Sequence, residues 1–86
     1  MACSVTIYSN FTSHGKKENG FYSNVDKITK WQEEYNFPHG VVDLFDELNH
    51  CGKASTHIPS RAYFTAYVLS NEGYDVTICP VHDMIL

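Results

Sequence analysis

Cys3-Ser4-Val5-Thr6-Ile7-Tyr8 places apolar and β-branched residues at alternate positions, which predicts a strand over 3–8. Residues 9–20 are polar and carry Gly15, Gly20 and the Lys16-Lys17 pair, the pattern of a mobile loop or long hairpin tip. Ser23 or Asn24 can then N-cap a helix running to about Asn36, with Val25, Ile28, Trp31 and Tyr35 on one face. Phe37-Pro38-His39-Gly40 breaks that helix, because proline disfavours helical geometry in the residue before it. A second helix is predicted from Val41 to Asn49, with Val41, Leu44, Phe45 and Leu48 buried and Asp43, Asp46 and Glu47 outward. Gly52 is placed to end it, and Cys51-Gly52-Lys53-Ala54-Ser55-Thr56 reads as a glycine loop.

Ser60 is the expected N-cap of a third helix running to Asn71, with Gly73 as its terminator and Tyr63, Phe64, Tyr67 and Val68 as its apolar seam. Residues 74–79 alternate again and predict a last strand, paired with the first or with a neighbour's sheet. The tail at 80–86 ends in Met84, Ile85 and Leu86, and is expected to dock on a neighbouring subunit. The fold class is therefore small α/β (α+β), a single domain over 1–86 with two to three strands and about three helices. So small a sheet has exposed edges that invite pairing with another copy.

Charge changes the picture by exclusion. Six Lys and Arg against ten Asp and Glu give a net −4, and the few lysines make no basic face for phosphates. A nucleic-acid reader is not expected. No run reaches the ~20 apolar residues of a membrane span, and the N-terminal stretch has neither the basic start nor the apolar core of a signal peptide. Synthesis and residence in a cytoplasm are expected.

Three cysteines, Cys3, Cys51 and Cys79, are an odd number for a disulfide framework, so reduced thiols are expected. Cys51, His57, Cys79 and His82 supply enough donors for a tetrahedral zinc site, but their spacing matches no zinc finger. No metal is therefore expected, and purified protein should carry no stoichiometric zinc. Cys51 or Cys79 with a histidine, or Ser60 near His57, lacks the orienting acid and the scaffold of a catalytic constellation. The chain does not read as an enzyme.

His57-Ile58-Pro59-Ser60-Arg61-Ala62-Tyr63-Phe64 spends one of the chain's few cations on an otherwise apolar stretch. Pro59 turns the chain into the helix, and Arg61 in the first turn opposes the helix dipole. A cation there needs a partner, and Asp43, Asp46 and Glu47, or an acid from a neighbouring subunit, are the candidates for a forked carboxylate pair.

The span from Phe37 to Phe64 resembles the signature segment of phage tail-completion and head–tail joining (virion-morphogenesis) proteins. There a Pro-Xaa-Gly turn, a short apolar helix, a glycine loop and an Ile-Pro-Xaa-Arg-Pro-aromatic run follow one another. Pro38, Gly40, Gly52, Ile58, Pro59, Arg61, Tyr63 and Phe64 carry the likeness. His50-Cys51 stands where the family has an acid and an aromatic, and Ala62 replaces the second proline. The resemblance implies a virion subunit that forms a ring of identical copies and contacts other phage structural proteins. It would need no cofactor and reside in the host cytoplasm during assembly. A second class of function, a small phage or bacterial protein, with or without a stabilising zinc, that inhibits a host enzyme, would use the acidic helix 41–49 as its contact face.

Overall fold

A computed structural model describes residues 3–12 and 19–82. Three strands and three helices follow in the order β1 (Cys3–Ser9), α1 (Asn19–Glu34), α2 (Val41–Cys51), β2 (Lys53–Thr56), α3 (Pro59–Asn71) and β3 (Val76–His82). The sheet has the order β2-β1-β3, and β1 is antiparallel to both neighbours. This is an α+β domain, the class expected, with the first strand at the centre and the last strand beside it.

Alternation along β1 explains the layering. Val5 and Ile7 are fully buried, while Thr6 and Tyr8 lie on the opposite face of the sheet. That second face continues through Ser55 of β2, whose hydroxyl pairs with that of Thr6 at 2.8 Å, and through exposed Cys79 of β3, which stands opposite Thr6. The helices pack on the Val5–Ile7 side. There Ile28 and Trp31 of α1, Val41, Leu44, Phe45 and Leu48 of α2, and Ala62, Val68 and Leu69 of α3 complete the core. Among the described residues no helix is long and apolar enough to cross a membrane.

Several local expectations are corrected. β1 ends at Ser9, and two residues later Phe11 is fully buried, so the polar stretch after the strand begins with a core anchor. The loop's centre, 13–18, lies outside the described residues, and Gly20 is already helical. On α1 the inward stripe is Asn24, Ile28 and Trp31, continued by half-buried Tyr35 just past its end, with Val25 exposed. Asn24 tolerates burial because its amide nitrogen donates to Asn49 Oδ1 at 2.9 Å. Asn36, at φ 57, ends α1 in left-handed geometry, and the Phe37 amide reaches back to the Gln32 carbonyl.

The presumed glycine loop contains β2. Lys53–Thr56 is too short and too weak in β propensity to announce itself, but it gains its hydrogen bonds from β1 and buries Ala54. α3 begins one residue early, with Pro59 in the first turn and Ile58 as an uncapped N-cap, so Ser60 does not cap it. β3 starts at Val76 and runs through Pro80 to His82. The first part of the expected tail is therefore sheet, and 83–86 lie outside the described residues.

The largest correction concerns α3. Its buried stripe is Ala62, Thr65, Ala66 and Leu69, joined by Val68, whereas Tyr63 and Tyr67 point to solvent. α3 packs against β1, β3 and α2 at once, and small side chains permit that close approach. Thr65 hides its hydroxyl by donating to the Arg61 carbonyl at 2.8 Å.

Candidate functional site on the outer face of the third helix

Pro59 presets the first turn of α3, and that turn carries Arg61 over the Pro38-His39-Gly40 corner at the start of α2. Gly40 has φ 88, a left-handed conformation that suits glycine. A Cβ at this position would stand 2.7 Å from Arg61 Cζ and Nη1 and 2.9 Å from Nε. The guanidinium thus lies flat against the glycine backbone. Two parts of the motif that are distant in sequence, the Pro-Xaa-Gly turn and the Ile-Pro-Xaa-Arg run, meet in space.

The expected acids do not join them. Among the described residues Arg61 forms no ion pair with Asp43, Asp46 or Glu47. The charged neighbours of Asp46 are Asp43 and His50, and Glu47 Oε1 accepts from the Ser55 amide at 3.4 Å. Arg61 is half-buried, so its stem packs while its charge stays hydrated. Arg61→Ala and Arg61→Lys should each cost no more than about 1 kcal/mol in denaturant midpoint experiments. A loss of several kcal/mol in both would show a buried ion pair.

The three acids of α2 are exposed. Partial burial, helped by the charge of Asp43 and opposed by His50, raises the Asp46 carboxyl above its usual 3.8. Its folded value thus exceeds its unfolded one, so this group's contribution falls as pH rises from 3.8 through the native value. Asp46→Asn should stabilise the fold at neutral pH, by about 0.5 kcal/mol at most because solvent screens the site. In acid below both values the gain should vanish, as read from unfolding curves at the two pH values.

Beside Arg61 runs a chain of rings. Phe37 stacks on buried Phe45 at 5.0 Å, Phe64 meets Phe37 edge-on at 5.8 Å, and Tyr67 follows Phe64 at 6.5 Å. Tyr35 completes it, edge-on to Tyr67 at 6.2 Å. The Tyr35 hydroxyl donates to Glu72 Oε2 and accepts from Asn71 Nδ2, each at 2.6 Å. The Glu72 carboxylate, as acceptor, holds the Tyr35 phenol above its usual value, against the opposing pull of Asn71. This network fixes the far end of the run. Tyr63 and Tyr67, one helical turn apart, are 49% and 59% exposed, and Ile58 at the head of α3 is 42% exposed. Rigid rings, anchored in the core at one end and open to solvent at the other, give a surface for contact.

The remaining candidate chemistry does not converge. Cys51 sits at the C-terminal end of α2 in a shallow hollow with Glu47, His50, Lys53 and Ser55. Its thiol donates to the carbonyls of Glu47 and Lys53 at 3.5 and 3.4 Å. Cys79 lies on the open sheet face, and His57 is exposed before α3. Among the described residues no three His, Cys, Asp or Glu side chains are grouped to hold a metal, and the His82 side chain lies outside that description.

Sequence reasoning found the motif but missed the tyrosine face. A signal for it existed in Ala62, Thr65, Ala66 and Leu69 at i, i+3, i+4 and i+7, which marks a buried stripe and leaves Tyr63 and Tyr67 outside. Comparison with protein-family models, curated proteins and solved structures finds no match.

Proposed function

We propose that this chain is a phage virion structural protein, a head–tail connector or tail-completion subunit that assembles into a ring and works by contact. The observation that carries this reading is α3 itself, which exposes Tyr63 and Tyr67 one turn apart and carries Arg61 with no ion pair among the described residues. Tyrosine and arginine are the side chains that most often anchor protein interfaces, because rigid rings bury large area at small entropic cost. The meeting of Gly40 and Arg61 gives the resembling motif a physical role, since it aims the head of α3 at the end of α2.

A ring needs one surface to meet a different one. The exposed carboxylates of Asp43, Asp46 and Glu47 on α2 offer Arg61 of a neighbouring copy the ion pair it does not make among the described residues. The partners in this reading are other copies and other phage structural proteins. The location is the virion, with host cytoplasm during assembly, and no cofactor is involved.

Tyr63→Glu and Tyr67→Glu test the reading. Both side chains are outside the core, so circular dichroism should be unchanged while the assembled species is lost in size-exclusion chromatography. Assembly beyond a pair of chains retained in the double variant would take the contact away from α3. A monomer in wild type and variant alike, forming a one-to-one complex with a host enzyme through α2, would favour the inhibitor reading instead.

A further inference from the structure

We propose that the outer edge of β3 pairs with the same edge of a second copy, antiparallel about a two-fold axis at Cys79. The proposal deepens the assembly reading by naming a self-contact, and it rests on the direction of the backbone groups. The Ser9 amide donates to the Gly52 carbonyl on the β2 side of β1. By alternation Ile7 and Val5 also face β2, while Tyr8, Thr6 and Ser4 face β3. Their partners on β3 are Thr77, Cys79 and Val81. Val76, Ile78, Pro80 and His82 therefore turn their backbone groups to the outer edge, where no further strand lies among the described residues. Pro80 fits this parity, since the N–H it lacks would have pointed outward.

Protected edges normally carry lysines or inward charges. Val76–His82 contains no charged Asp, Glu, Lys or Arg, although the chain as a whole has a net −4. Two copies can meet here without the repulsion their other surfaces carry. Register then selects the centre. With the axis at Thr77 or Ile78 the His82 N–H lies opposite a position before Val76, and with the axis at Pro80 the Val76 N–H lies opposite a position after His82, so neither is paired within β3. With the axis at Cys79, Val76 pairs with His82 of the second copy and Ile78 with Pro80. Every outward N–H then meets a carbonyl within the strand.

In each Ile78–Pro80 pair the Ile78 N–H donates to the Pro80 carbonyl, while the Ile78 carbonyl receives no N–H from proline and is left to solvent. Ile78, only partly buried in the single chain, gains an apolar neighbour across the seam. Such a contact is isologous. It joins copies in twos and leaves both α3 faces free for the heterologous contact of a ring.

The register is tested by cross-linking. Cys79 would face its counterpart in a non-hydrogen-bonded pair, with Cα atoms about 4.5 Å apart, within the span a disulfide bridges. Full-length protein carrying Cys3→Ser and Cys51→Ser keeps Cys79 alone, and it is treated with diamide beside a Cys3→Ser/Cys79→Ser control. Covalent dimer should form at least about tenfold faster in the Cys79 protein, because pairing raises the effective thiol concentration. Cys79→Lys, on the open face where the fold is not disturbed, should halve the sedimenting mass with an unchanged circular dichroism spectrum. Equal cross-linking rates with assembly intact would overturn edge pairing while sparing the α3 reading. A single-chain mass for wild type and Cys79→Lys alike would remove both.

Discussion

Phe11→Ala should be among the most damaging substitutions in this protein, costing about 3–5 kcal/mol in chemical unfolding. The ring is fully buried and lies 5.4 Å from Trp31, 5.8 Å from Phe45 and 5.1 Å from Tyr74. It joins α1, α2 and the approach to β3, so truncation leaves a void that no single element can close. A domain of this size has roughly 5–10 kcal/mol in all, which makes the loss a large share of its stability. Phe45→Ala, from the centre of a helix where burial was expected, should cost about the same. A Phe11→Ala cost below about 1 kcal/mol, the range of a surface change, would show that the ring is not part of the core.

Phe11 also shows where sequence stopped informing. It stands alone between polar neighbours, so neither helical nor strand periodicity identifies it, and its burial depends on three elements that meet only after folding. The stripe of α2 was legible because its apolar residues recur regularly above an acidic outer face. β1 was legible from alternation, and Arg61 and Gly40 drew notice as a lone cation and a turn glycine.

α3 was misread for the opposite reason. It is apolar nearly all round, so more than one stripe fits the helical period, and the bulkier residues looked like the core. The sheet decided otherwise, since a helix lying close over β1 and β3 accepts alanine and threonine where tyrosine would not fit. The acids of its own chain offered for Arg61 do not pair with it among the described residues, because spacing along a helix does not say whether a neighbouring helix turns its acids toward it. β2 was hidden by its length, as four residues of Lys, Ala, Ser and Thr become a strand only through β1.

Gly52→Ala should cost about 1–3 kcal/mol, the second large effect at a single residue. Gly52 has φ 75, its amide closes α2 on the Leu48 carbonyl at 2.7 Å, and its own carbonyl accepts from Ser9 at 3.1 Å. One glycine thus ends a helix and starts the pairing of β1 with β2. An added Cβ would meet the Ser9 carbonyl oxygen at 3.3 Å, so backbone strain and a tight contact act together. Gly73→Ala is the matched control, with φ 93 and nothing within 4 Å, and should show strain alone, about 1–2 kcal/mol. If denaturant midpoints rank Gly52→Ala no lower than Gly73→Ala, the approach of β1 adds nothing to the need for glycine.

The proposed function requires that this chain join other copies through the tyrosine face of α3. Sedimentation velocity of the full-length protein over a concentration series tests that claim most directly. A species larger than a pair of 9.8 kDa chains should grow with concentration, and Tyr63→Glu/Tyr67→Glu should leave at most the pair joined at β3. A single species of 9.8 kDa at every concentration, the same with and without the two tyrosines, would contradict it.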